Sequence, residues 1–111
     1  MIHLRVETED KLFLEGQGIY AIINGQEYVF SLEIVEKIVI LTTDLGPFYD
    51  DMGLAIDVGN NTVVFIMSEH ECFQTFLFDQ IGKALPIDFQ KVIDASVCKE
   101  NNVFEIYRRD A

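Results

Sequence analysis

The sequence predicts an α+β fold: a mainly antiparallel, bent sheet of about seven strands packed against one long and one short helix, both in the C-terminal half. Three observations carry this. The first two thirds read as short runs with two-residue alternation or dense β-branching, parted by turn residues. After Ser68 the apolar spacing switches to three and four residues. Most links between the early runs are too short for the helical crossover that parallel neighbours need. A single α+β domain over residues 1–111 is expected, since a chain of 111 residues encloses one ordinary core and not two.

IHLRVE at the start alternates, with Ile2, Leu4 and Val6 on one face and His3, Arg5 and Glu7 on the other, as a half-exposed strand does. Thr8 to Asp10 turn the chain into KLFLE. In IYAIINGQEYVF, Asn24-Gly25 parts two apolar-aromatic runs. Both central residues of a type I′ turn need positive φ, which Asn and Gly supply most readily, so the spacing predicts a tight hairpin with Ile23 opposite Gln26. EIVEKIVILTT reads as helix or strand at its start and as strand where β-branched residues crowd IVILTT. LAIDV and TVVFIM flank Gly59-Asn60-Asn61 as a second hairpin, and apolar residues on both faces of TVVFIM place it centrally in the sheet, covered on each side.

In SEHECFQTFLFDQIGKAL, residues Phe73, Phe76, Leu77, Ile81, Ala84 and Leu85 form the stripe of an amphipathic helix. Ser68 and Glu71 stand at capping-box spacing, which starts the helix at about Glu69. Pro86 follows its end, Asp88 caps a short second helix through FQKVIDA, and Glu100-Asn101-Asn102 turns into a last strand, VFEIYR.

With 50% apolar and 12% aromatic residues the chain is no disordered acidic tail, despite 19 acidic against 8 basic residues. A net charge of −11 repels phosphate backbones and anionic headgroups, and Arg108-Arg109 is the only adjacent basic pair, so neither nucleic acid nor a membrane surface is an expected partner. MIHLRVETED lacks the leader of a secretory signal, and no apolar run approaches the roughly 18 to 20 residues of a membrane span. Cys72 and Cys98 are too few for a disulfide framework and are expected as buried thiols. These features predict a cytoplasmic protein.

TTDLGPFYDD, residues 42 to 51, is the densest polar-aromatic stretch. Asp44, Asp50 and Asp51 are hard oxygen ligands, but the ligand spacing of a calcium loop is missing, and adjacent Asp50 and Asp51 diverge in extended chain. The stretch reads as a turn in which Asp44 makes a side-chain turn bond and Gly46-Pro47 fixes the chain direction, with Phe48 or Tyr49 folding back on the core. A rigid loop of this kind also suits recognition. His70, Cys72 and Cys98 offer three zinc-type ligands where structural zinc takes four, and residues 70 and 72 of a helix lie about 200° apart. Cys72 is expected in the core and His70 solvated in the first helical turn. As a nucleophile Cys72 gains from a helix N-terminus but faces Glu69 and Glu71, and the only imidazoles, His3 and His70, stand in no recognisable catalytic set. EGQG at 15–18 has the glycines of a phosphate loop without its strand-to-helix context or its lysine. No catalytic residue, metal site or cofactor is predicted.

Leu41-Thr42-Thr43-Asp44, Gly46-Pro47-Phe48 and Asp50-Asp51, then Ser68-Glu69, Leu85-Pro86-Ile87-Asp88 and Glu100-Asn101 before Phe104, resemble the pattern of a family of small bacterial α+β proteins with a TD-x-GPF-x-DD loop and no assigned function. The resemblance implies a bacterial, cytoplasmic setting and carries over no catalytic residue. In size and charge the chain is also similar to immunity proteins that neutralise toxins.

Between Lys37 and Lys83 there is no Lys or Arg, while Asp44, Asp50, Asp51, Asp57, Glu69, Glu71 and Asp79 contribute seven negative charges. Gathered on one face, with Phe48 and Tyr49 as anchors, they would steer a basic partner and hold it through a few buried aromatic contacts. The expected function is a non-enzymatic, acidic protein-interaction domain of the inhibitor or immunity type, with a basic protein partner and Asp44, Phe48, Tyr49, Asp50, Asp51, Asp57, Glu69 and Glu71 as binding residues. Two alternatives stand beside it: a small-molecule-binding module whose nine phenylalanines line an apolar pocket, and a small cysteine-dependent enzyme using His70 and Cys72. Acidic residues that only confer solubility would give the same composition.

Overall fold

The computed structural model describes residues 1–42, 52–98 and 100–109. Asp44, Phe48, Tyr49, Asp50 and Asp51 therefore lie outside the described residues. In chain order the strands are β1 (Ile2–Val6), β2 (Lys11–Glu15), β3 (Gly18–Ile23), β4 (Gln26–Ser31), β5 (Lys37–Thr42), β6 (Met52–Asp57), β7 (Thr62–Met67) and β8 (Asn102–Arg108). A helical run, α1, begins at Phe73, is π-helical over Thr75–Ile81 and ends in the α-helical turn Gly82–Ala84. The second helix, α2, spans Phe89–Ser96. The fold is α+β, as the sequence predicts.

The sheet differs from the expectation. Among the described residues there are, instead of one bent sheet of about seven strands, two sheets: a five-stranded sheet ordered β1-β7-β6-β5-β8 and a three-stranded meander β2-β3-β4. The larger sheet is mixed, because β1 runs parallel to β7 from Ile2↔Thr62 to Val6↔Ile66. Connection length constrains only strands adjacent in sequence. Between β1 and β7 the chain builds the whole meander and two further strands, so nothing in the links dictates their direction. Strand β8 takes the opposite edge, antiparallel to β5, with a bulge between Ile38 and Val39.

The hairpin at Asn24-Gly25 is as predicted, with φ of 54° and 81° at the two central residues and Ile23 paired with Gln26. Gly59, Asn60 and Asn61 all have positive φ in the β6–β7 turn. EGQG is the end of the β2–β3 hairpin, where Glu15 pairs with Gly18. The ambiguous start of EIVEKIVILTT becomes a single 3-10 turn, Leu32–Ile34, capped by Ser31 Oγ accepting from the Glu33 N–H at 3.3 Å.

Helix α1 starts four residues later than the capping-box spacing implies. Ser68 stays tied to the sheet, its N–H donating to Met52 O at 2.9 Å, and the Glu71 carboxylate is drawn to Lys11 Nζ. The cap is supplied instead by His70, whose Nδ1 accepts the Cys72 N–H at 2.9 Å. The predicted stripe then holds for Phe73, Phe76, Leu77 and Ile81, which are buried, whereas Ala84 is exposed.

One apolar cluster gathers Val6, Ile38, Ile40, Leu54, Ile56, Val64, Ile66 and Ile106 from the large sheet, Leu12, Ile19 and Ala21 from the meander, and residues of both helices. Phe76 is wholly buried in it, which removes a side chain worth about 1.5 to 3 kcal/mol of transfer free energy from water. The edge of β2 is closed by α1, where Gln80 Oε1 accepts the Leu14 N–H at 2.8 Å. Only one face of β7 joins the cluster. Thr62, Val64 and Ile66 are buried, but Val63, Phe65 and Met67 are partly exposed and do not pack against the core, so the expected cover on both sides is not found among the described residues. No helix of the described residues is long and apolar enough to cross a membrane.

Candidate functional site

A concavity of apolar character lies where α1 and α2 meet the start of β6. Asp88 caps α2, its Oδ1 accepting the Lys91 N–H at 3.3 Å, and fixes the rotation of the helix. Val92 and Ala95 then face the core and are buried, while Phe89 and Ile93, one step round the same helix, stay 36% and 57% exposed. From α1, Phe78 is 43% exposed and stacks on Phe89, with ring centroids 5.8 Å apart and planes 17° from parallel. Between them runs a cleft of about 330 Å³, its apolar lining formed by Met52, Phe73, Phe78, Phe89, Val92 and Ile93, and its polar lining by Ser68, Gln74 and Ser96.

The close approach of the helices depends on Gly82. A Cβ there would stand 2.4 Å from Leu77 O and 2.7 Å from the Phe89 ring. In the π-helical stretch the carbonyl five residues back is crowded against position 82, and the Phe89 ring occupies the remaining space. A side chain at this position would push α2 away and alter the cleft.

Acidic residues neighbour the apolar lining along the chain. Glu69, Asp79, Asp88 and Asp94 each directly adjoin a lining residue in the chain, and all four are exposed. Among the described residues Lys91 is the only basic residue in such a position. An exposed aromatic cleft with acidic chain neighbours fits recognition of an apolar ridge flanked by cations.

A second, polar concavity of about 350 Å³ lies beside the β7–α1 connection and is lined by Arg5, Glu7, Thr8, Met67, Glu69, His70 and Glu71, together with Val6. Its wall is a hydrogen-bonded knot. Asp10 accepts the Glu7 N–H at 2.8 Å and the Asn24 N–H at 3.0 Å, so the β1–β2 turn is tied to the β3–β4 hairpin. The bond from Asn24, then that from Glu7, holds the Asp10 carboxyl below its ordinary value. Because His70 Nδ1 accepts from Cys72 N–H, its proton sits on Nε2, which is shared between Glu7 O at 2.9 Å and Asp10 O at 3.0 Å. Lys11 and Glu71 close the knot at 2.5 Å, and their hydrogen bond raises the pKa of Lys11 and lowers that of Glu71. Both partners are more than half exposed, so solvent screens the pair.

This placement bears on the sequence-predicted residues one by one. Glu69 and Glu71 come together beside the polar concavity. Asp57 does not join them: it stands at the far end of β6, about 17 Å along the strand from Met52, and its Oδ1 accepts the Gly59 N–H at 3.0 Å. His70 is not a solvated first-turn residue but a bridge from α1 to the β1–β2 turn. Both its nitrogens are spent on backbone groups, and neither addresses the Cys72 thiol. Cys98 lies against Thr42, its sulfur 3.5 Å from Oγ1. Among the described residues no three His, Cys, Asp or Glu side chains are grouped to hold a metal ion. Sequence reasoning missed Phe78, Phe89, Ile93 and Gly82. The available signal was Phe78 and Asp79 following Leu77 in TFLFD, where one aromatic lies off the buried stripe. Comparison of the chain with family models, curated proteins and solved structures finds no match in any of the three.

Proposed function

We propose that this chain is a non-enzymatic interaction domain that binds a basic protein partner, and that the cleft between α1 and α2 seats an apolar ridge of that partner. The observation that carries the reading is the exposure of Phe78, Phe89 and Ile93 on one cleft, with the exposed carboxylates Asp79, Asp88 and Asp94 next to these residues in the chain. Large apolar side chains grouped on a surface mark interaction sites, and the acidic neighbours supply steering toward a cation. Asp50 and Asp51 immediately precede Met52, a lining residue, in the chain. An inhibitor or immunity-type role is the form of this function that fits the size and charge. The two free thiols, Cys72 and Cys98, suit the reducing cytoplasm, where we place the protein.

One observation favours a second reading. A cleft of about 330 Å³ with mostly apolar lining falls within the range of small-molecule sites. Affinity capture from the native lysate by wild type and by Ile93→Glu, with native mass spectrometry of the purified protein, separates the two. The protein reading requires a captured protein with excess Lys and Arg that is lost with Ile93→Glu and weakened by salt. Partners that bind both forms alike, or lack basic character, overturn it. A reproducible added small mass that Ile93→Glu removes, without such a partner, transfers the cleft to the second reading.

A further inference from the structure

The outer face of the large sheet lies opposite the helices and the meander and is independent of the cleft. The pairing register lays it out in rows across β1, β7, β6, β5 and β8. One row reads Arg5, Phe65, Ala55, Val39, Glu105, and the next reads Met67, Gly53, Leu41, Val103 from β7 to β8. Val39, Leu41, Ala55, Phe65 and Met67 are partly exposed and outside the core cluster, and Val103 is 59% exposed. The apolar centre is flat because Gly53 lets the Phe65 ring lie over it, where a Cβ would meet the ring at 2.5 Å. A sheet face that only meets water alternates toward polar residues, and this one does not.

We infer that this face is the interface with a second copy of the chain, packed sheet on sheet about a two-fold axis along the central strand β6. Charge decides for this occupant. Among the described residues Arg5, Lys37 and Arg108 stand on the face against Asp57, Glu105 and Glu7, which pairs with Arg5 at 3.2 Å, a balance of zero in a chain of −11, so the basic partner proposed for the cleft is not favoured here. Arg5 and Glu105 occupy opposite edges of one row. Within one copy Arg5 pairs with Glu7 and Glu105 with Arg108; an axis along β6 turns each edge onto the other, so these two pairs come opposite one another, twice, with Arg5 of one copy against Glu105 of the next, and Phe65 meets Val39. The acidic surface then points outward from both copies. Asp57 faces its counterpart at the end of the sheet, where Lys37, its registered neighbour, offsets the repulsion.

Sedimentation equilibrium of the full chain over a wide concentration series tests this. The expected species has twice the chain mass of 12.7 kDa. Val39→Lys, on the open face and away from the core, is expected to raise the dimer dissociation constant at least about tenfold, while its unfolding midpoint at concentrations where both forms are monomeric stays close to that of wild type. Arg5→Glu and Glu105→Arg each weaken the dimer about tenfold, and the double variant restores it to within about threefold of wild type. A monomer throughout the series, a dimer indifferent to Val39→Lys, or a double variant no better than the singles overturns the inference.

Discussion

Gly82→Ala probes the joint between the two helices that forms the cleft. The new Cβ would lie 2.4 Å from Leu77 O and 2.7 Å from the Phe89 ring, whereas ordinary contacts are about 3.3 Å to a carbonyl oxygen and about 3.5 to 4 Å to carbon. Each neighbour must retreat by close to 1 Å. Relieving an overlap of that size in a packed region costs about 1 to 3 kcal/mol. Against it stands the helix preference of Ala over Gly, about 1 kcal/mol. The net expectation is a loss of about 0 to 2 kcal/mol. For a chain of 111 residues, with an unfolding entropy of about 2.1 cal/mol/K per residue, this lowers the midpoint by up to about 9 °C. Circular dichroism melts measure it. The Phe89 share is isolated by repeating Gly82→Ala in a Phe89→Leu background, where the cost falls if the ring is one of the obstacles. A midpoint above wild type refutes the reasoning, because it would mean that the π-helical stretch relaxes to admit the methyl group without strain.

Neighbouring residues of α2 should separate folding from binding: Val92→Ala removes buried methyl groups and should cost about 2 kcal/mol, while Ile93→Ser should stay within about 0.5 kcal/mol in urea unfolding yet lose the partner. Equal stability losses at the two positions would deny the cleft its open side. Asp10 sets a pH dependence. Its folded pKa is depressed below the unfolded value, so its contribution is complete above the ordinary aspartate range and is lost as the pH falls from about 5 through that range toward the folded value. Asp10→Asn should therefore flatten the acid limb of a stability–pH profile, and an unchanged slope would count against the knot. His70→Ala removes the cap of Cys72 and the bonds to two carbonyls, with an expected loss of about 1 to 3 kcal/mol and faster hydrogen exchange at the Cys72 amide. Undiminished protection of that amide would show that the cap is dispensable.

What was legible in the sequence was local. Asn24-Gly25 specified its turn because few residue pairs tolerate two successive positive φ values, and Asp88 specified the start of α2 because its oxygen reaches a free helix N–H. Ser68 and Glu71 misled for an instructive reason. Their spacing satisfies a capping box only if neither has a better partner, and both do: Ser68 belongs to the β6–β7 ladder and Glu71 to a lysine sixty positions away. The parallel β1–β7 pair and the edge position of β8 were hidden for the same reason, since pairing across long separations leaves no trace in spacing. The acidic segment was legible as charge but not as a surface. Composition cannot say that β6 carries Asp57 to the end of the sheet away from Glu69 and Glu71.

The cleft itself follows from a mismatch that the sequence contains and only the structure exposes. At 100° per residue, Ala95, Val92, Phe89, Ile93 and Val97 sweep an apolar arc of about 200° around α2, whereas docking one helix on a core takes a stripe of roughly 100°. The core uses Val92 and Ala95. Phe89, Ile93 and Val97 are left exposed, Val97 at 71%, and Phe78 on the facing helix extends the same surface. A chain under selection for folding alone loses nothing by replacing these with polar residues, and gains solubility. On the proposed reading, Asp79, Asp88 and Asp94 beside them in the chain would let the protein keep an apolar recognition surface in water, because charges that oppose self-association there would also attract a cationic partner. The charges described on the outer sheet face balance, and so the two proposals assign the two apolar surfaces to different occupants.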